Sequence, residues 1–136
     1  MKSTLRRGAA LTMLFTCTQV LAADAVTLPT DSKPVASDFV AQDDEYLRNS
    51  VTGLLWTRSD NGSDISWDDA KDRCARSADW RLPTLGELAS LYDPKLPQVK
   101  CGDYMCRVPH ELRLTSAIFW SSRTDGPYEA SVIWLT

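Results

Sequence analysis

The run Trp80-Arg81-Leu82-Pro83-Thr84-Leu85-Gly86-Glu87-Leu88 constrains the fold of this chain more than any other stretch. Pro83 disfavours helical geometry at Leu82, so the backbone must arrive extended. Thr84 and Glu87 have the Thr-x-x-Glu spacing of a capping box, in which the hydroxyl and the carboxylate each accept from a backbone amide at the helix start. Leu85, Leu88 and Leu91 continue as an apolar stripe, and Asp93-Pro94 ends the helix. Arg81 lies between Trp80 and Leu82 and carries five donors. Backbone carbonyls, or the carboxylate of Asp79 or Glu87, are its expected partners, which makes it structural rather than a ligand contact.

A first helix is predicted upstream. Ser66 can cap it, and Asp68 and Asp69 suit the positive end of its dipole. Trp67, Ala70 and Cys74 share one face at i, i+3 and i+7, with Ala78 beyond, and the helix is expected to end near Ser77. Short strands are expected over 38–42 and 45–48, around the acidic turn Asp43-Asp44, and over 54–59. Asp60-Asn61-Gly62-Ser63-Asp64 is a turn. Residues 95–116 contain two prolines and read as a long irregular loop. Residues 117–123 and 131–136 read as strands around Thr124–Glu129. Strands, two helices, a loop and strands make an α+β domain, with no internal repeat.

The start of the chain reads as an export signal. Lys2, Arg6 and Arg7 form a basic region, and residues 8–20 are short and mostly apolar. Ala22 and Ala23 suit cleavage. Thr12, Thr16, Thr18 and Gln19 make the run too polar and too short to span a bilayer. Thr16 before Cys17 fits a lipoprotein site poorly. The expected organisation is a signal peptide over 1–22, a polar leader over 23–37 and one domain over 38–136, with no further transmembrane segment. The product would be periplasmic or extracellular. Cleavage removes three of the 15 basic residues and none of the 18 acidic ones, taking the net charge from −3 to −6. An acidic surface argues against nucleic acid as a partner.

Export implies an oxidising compartment, where disulfides are the default. With Cys17 inside the signal, Cys74, Cys101 and Cys106 remain, an odd number that leaves at least one without an intrachain partner. Cys101 and Cys106 are expected to close a small local ring.

Four motifs occur in order: Thr52-Gly53-Leu54-Leu55-Trp56, Ser66–Cys74, Trp80–Leu88 and Phe119-Trp120-Ser121-Ser122. Together they resemble the Lcl C-terminal domain family, a bacterial family first catalogued as a domain of unknown function, over roughly 38–134. The resemblance implies export and a C-type-lectin-like fold. It assigns structural duties to Thr52, Gly53, Trp56, Trp67, Ala70, Cys74, Trp80, Arg81, Leu82, Pro83, Thr84, Glu87, Leu88, Phe119, Trp120, Ser121 and Ser122. The Ser66–Cys74 run is similar to the first-helix signature of C-type lectins, and Arg81–Leu88 to a run of the formylglycine-generating enzymes. Members are expected to pair the first-helix cysteine, here Cys74, with a cysteine in a closing strand. The sequence ends at Thr136 without one. The expectation is therefore a truncated or divergent member with an orphan Cys74 and an exposed sheet edge.

No catalytic constellation emerges. His110, the single histidine, lies in a polar loop without a patterned nucleophile. The carboxylate clusters Asp43-Asp44-Glu45 and Asp68-Asp69 suit turns and a helix start. Asp60–Asp64 lacks the spacing of a calcium loop. A zinc set from Cys74, Cys101, Cys106 and His110 lacks Cys-x-x-Cys spacing, so neither metal nor cofactor is expected. The five tryptophans sit among apolar neighbours and read as core, Trp134 least clearly so. Lys95, Lys100, Arg107 and Arg113 make the long loop locally basic, and that loop is the expected ligand-facing surface. The expected function is an exported, non-catalytic, lectin-like binding module for a protein or glycan. The alternatives are an enzyme related to the formylglycine-generating branch, or a truncated, non-functional member.

Overall fold

The computed structural model describes residues 2–6, 17–19, 38–76, 79–126 and 129–136. The proposed cleavage site, the 23–37 leader, Ser77 and Ala78 lie outside them. Among the described residues, ten strands and two helices form the α+β fold expected from the sequence. They are β1 (Lys2–Arg6), β2 (Thr18–Gln19), β3 (Phe39–Ala41), β4 (Tyr46–Asn49), β5 (Leu55–Thr57), α1 (Trp67–Ala75), β6 (Trp80–Arg81), α2 (Leu85–Ser90), β7 (Val99–Cys101), β8 (Tyr104–Cys106), β9 (Ile118–Gly126) and β10 (Glu129–Trp134).

Three sheets result, with strand orders β3-β4-β5-β2-β6, β1-β10-β9 and β7-β8. The first begins as a meander. Asp43 forms its first turn by accepting from the amides of Glu45 and Tyr46, at 2.8 Å each. Asn49 Oδ1 organises the second, accepting from the amides of Val51 and Thr52. Gly53 turns there with φ at +72°.

The central hairpin β9–β10 is buried on both faces where its apolar residues 118–120 and 132–133 lie, as those runs require. Phe119 and Ile133 face one cluster, with Trp56, Leu88, Leu91, Val108 and Leu135. Ile118, Trp120 and Val132 face the other, with Trp67, Ala70, Cys74 and Leu82. Strand alternation thus sends neighbouring residues of β9 into two cores, one covered by α2 and the other by α1. Inside the hairpin, Ser121 Oγ donates to the Ser131 carbonyl at 2.9 Å.

Both helix starts form as the sequence requires. Thr84 and Glu87 make the reciprocal capping box. Ser66 Oγ accepts from the Asp69 amide at 3.2 Å and donates to its carboxylate at 2.6 Å. Both helices end earlier than expected, at Ala75 and Ser90. Replacing Ser66 with alanine is expected to cost about 1 kcal/mol, read as a fall in urea midpoint at unchanged m. An unchanged midpoint would show that the cap is dispensable.

Three expectations need correction. The long loop is not wholly irregular: β7 and β8 form a hairpin in register Val99↔Cys106, Lys100↔Met105 and Cys101↔Tyr104. The Cys101–Cys106 disulfide forms as expected and closes it. Cys74 is not an orphan, because it is bonded to Cys17, and none of the four cysteines is free. The outer edge of β10 is not open either, because β1 pairs with it antiparallel from Lys2↔Ile133 to Arg6↔Glu129. The physical reason is shared. β1 meets the unpaired backbone groups of a sheet edge, and Cys17, later in the same part of the chain, takes up the buried thiol.

Candidate functional site

An apolar opening lies where α1, β6 and β9 converge. It is a half-open cleft of about 390 Å³. Trp67 and Lys71 line it from α1, Trp80 and Arg81 from β6, and Ser122 and Thr124 from β9. Its parts are held by local chemistry. The first turn of α1 places Trp67, whose indole N–H donates to the Ser121 carbonyl at 2.8 Å. Lys71, one turn on, puts its ammonium 5.3 Å from the centre of that ring. On the opposite wall, Asp79 adopts φ +72° just before β6. Trp80 then packs against Tyr46 with ring centres 5.5 Å apart. Asp is among the few residues that tolerate this left-handed geometry. The Ser122 amide donates to the Pro83 carbonyl at 2.7 Å, joining β9 to the strand-to-helix junction.

The charges in the wall are divided between structure and surface. Arg81 donates to Glu87 Oε1 at 2.7 Å and Oε2 at 2.8 Å, and also to the Leu82 carbonyl. The hydrogen bond to Glu87 raises the guanidinium pKa, against the opposing effect of burial. Burial alone would push the Glu87 carboxyl up. The hydrogen bonds from Arg81 and the Thr84 amide outweigh it and hold the carboxyl below its ordinary value. The pair therefore stays ionised and internally neutralised. Lys71 is exposed at the rim, where its charge faces solvent.

The four basic residues of the long loop are not gathered into one pocket. Arg107 is half-buried and donates to the carbonyls of Pro94 and Leu96, at 3.3 and 2.7 Å, so it clasps the loop. Arg113 lies 4.0 Å from Asp44. Lys95 and Lys100 are exposed. His110 is exposed beside Glu111. A smaller polar hollow of about 220 Å³ lies by Cys17, Asp60 and Arg73. There Asp60 is engaged by the Thr115 amide and hydroxyl. Among the described residues, no group of three His, Cys, Asp or Glu side chains could hold a metal ion. No helix among them is long and apolar enough to cross a membrane.

Sequence reasoning missed the cleft because it placed all five tryptophans in the core. Trp56, Trp67 and Trp120 are buried there, and Trp134 is exposed. Trp80 is only half-buried. The available signal was the Trp67-to-Lys71 spacing, which sets a cation over an aromatic face.

Searches of curated proteins and of solved structures return no match. The family model for the Lcl C-terminal domain matches residues 45–136, which span β4 and β5, both helices, the cleft and the central hairpin, and the chain belongs to that family.

Proposed function

We propose that this protein is an exported, non-catalytic binding module with C-type-lectin-like architecture, and that its ligand enters the cleft between α1, β6 and β9. The observation that carries the reading is that the half-buried indole of Trp80 and the exposed Lys71, whose ammonium lies over the buried Trp67 ring, line one cleft. Aromatic faces accept flat or ring-shaped apolar surfaces, and a cation beside them selects for a negative group. The preferred ligand is therefore a ring-bearing anion, such as an acidic saccharide. Binding rather than catalysis is supported by the employment of the carboxylates nearby. Glu87 is held by Arg81 and the Thr84 amide, and Asp69 is held by Ser66. Export is supported by the leader-like start and by the Cys101–Cys106 bond, which needs an oxidising compartment.

Tryptophan fluorescence, titrated with a uronic-acid disaccharide and its neutral counterpart, tests this. Saturable quenching by the acidic sugar is expected. Lys71→Ala and Trp80→Ala should each weaken it about tenfold, a loss of about 1.4 kcal/mol. Equal affinity for both sugars, or variants that bind like the wild type, would sink the proposal.

A further inference from the structure

β1, Cys17 and β2 occupy three places that the rest of the fold leaves open. β1 covers the outer edge of β10. β2 stands between β5 and β6, pairing with Trp56 and Leu55 on one side and with Arg81 and Trp80 on the other. Cys17 is bonded to Cys74, which is almost fully buried. Yet these same residues have the composition of a removable leader. Removing them would open a strand edge and a slot inside a sheet, and would leave Cys74 without Cys17.

We infer that the processed chain is an acceptor for an extended segment of a partner polypeptide, which adds a strand antiparallel to β10 and bonds Cys74 through its own cysteine. The inference rests on reading residues 1–22 as a leader that is removed. β1 and Cys17 show what the site accepts: an extended strand on β10, and further along a cysteine bonded to Cys74 of α1. The surface beside the end of β1 favours a segment longer than β1. That strand ends at Lys2, opposite Ile133. Trp134 is the next residue along β10. It is 37% exposed and meets Tyr104, itself 38% exposed, edge to face at 6.1 Å. Met105, on the same hairpin strand as Tyr104, is 47% exposed. A partner strand running two residues past the position of Lys2 would reach this uncovered apolar surface, which a partner with an apolar side chain there would bury.

The covalent step is thiol–disulfide exchange. The Cys74 thiolate attacks the partner cysteine while that cysteine is held as a mixed disulfide with a small thiol. The new S–S bond forms, the old one breaks, and the small thiol leaves, carrying the electron pair and gaining the proton that Cys74 lost.

The full-length gene product, exported and purified, is tested with a synthetic peptide of residues 1–19 whose Cys17 carries glutathione. Intact mass first reports where the product begins. For a product beginning near Ala23, the expected result is one peptide per chain, bonded to Cys74, with release of one glutathione. The amides of β10 should gain protection from hydrogen exchange. A peptide carrying Cys17→Ser should bind at least tenfold more weakly. A processed chain that folds only when the peptide is supplied supports the inference equally. A processed, folded chain that takes up no peptide, or takes it up without protecting β10, overturns it. A dimer joined through Cys74 of two copies overturns it as well. A product that still begins at Met1, with Cys17 bonded to Cys74, removes the leader reading itself and leaves no vacancy for a partner.

Discussion

Gly102→Ala is expected to lose about 2–4 kcal/mol of stability, which for a domain of this size lowers the melting temperature by about 10 °C. Gly102 is the first of the two turn residues between β7 and β8, with φ at +61°. Glycine is the usual occupant of that position in the tight turns that match strand twist. The conformation alone costs an L-residue about 1 kcal/mol or more. The larger part of the loss comes from crowding. A Cβ on Gly102 would point into the backbone carbonyl of Thr115. That backbone cannot easily retreat. Asp60 holds the Thr115 amide and hydroxyl, and the neighbouring Arg113 amide donates to the Arg58 carbonyl at 2.7 Å.

Gly62 supplies the control. Its φ is +69°, and nothing lies within 4 Å of where its Cβ would stand. Gly62→Ala should therefore cost only the conformational part, about 1 kcal/mol. Thermal unfolding of both variants separates the two contributions. Equal losses would mean that the hairpin shifts freely away from Thr115.

The contrast between these glycines also explains what could be read from the sequence. Signals that act within four residues survived translation into structure. Ser66, Thr84 and Glu87 mark both helix starts because a cap is made with amides two or three residues away. The Arg81–Glu87 pair was foreseeable because the helix start brings the carboxylate back towards the preceding strand. Trp67, Ala70 and Cys74 face the core as their spacing requires. Non-local features were not legible. The β7–β8 strands have three residues each, too few for a periodic signal, and prolines flank them. β6 has two residues and gains strand character only from β2 beside it. The pairing of β1 with β10 joins the two ends of the chain, and no local pattern reports it. The cleft was hidden for a related reason. Whether Trp80 fills a core or walls a cleft depends on what α1 places opposite, not on its own neighbours in sequence.

Glu87→Ala is expected to cost about 2–3 kcal/mol at neutral pH, because one carboxylate serves two structures. It accepts from the Thr84 amide at 2.7 Å, as half of the capping box, and it binds both terminal nitrogens of Arg81. Alanine removes all three hydrogen bonds and takes from Arg81 its carboxylate partner. Glu87→Gln keeps an acceptor for the Thr84 amide but not the charge, so about half of the loss should follow. Acid provides an independent check. The folded state holds the Glu87 carboxyl below its ordinary value of 4.5, so the unfolded chain takes up the proton first as pH falls. The stabilisation is complete above that value and disappears as pH falls through the lower folded one. Urea unfolding of the wild type and Glu87→Gln should differ at pH 7 and converge towards pH 3, as the wild-type carboxyl becomes neutral like the amide. A gap of the same size at both pH values would show that the pair contributes shape rather than charge.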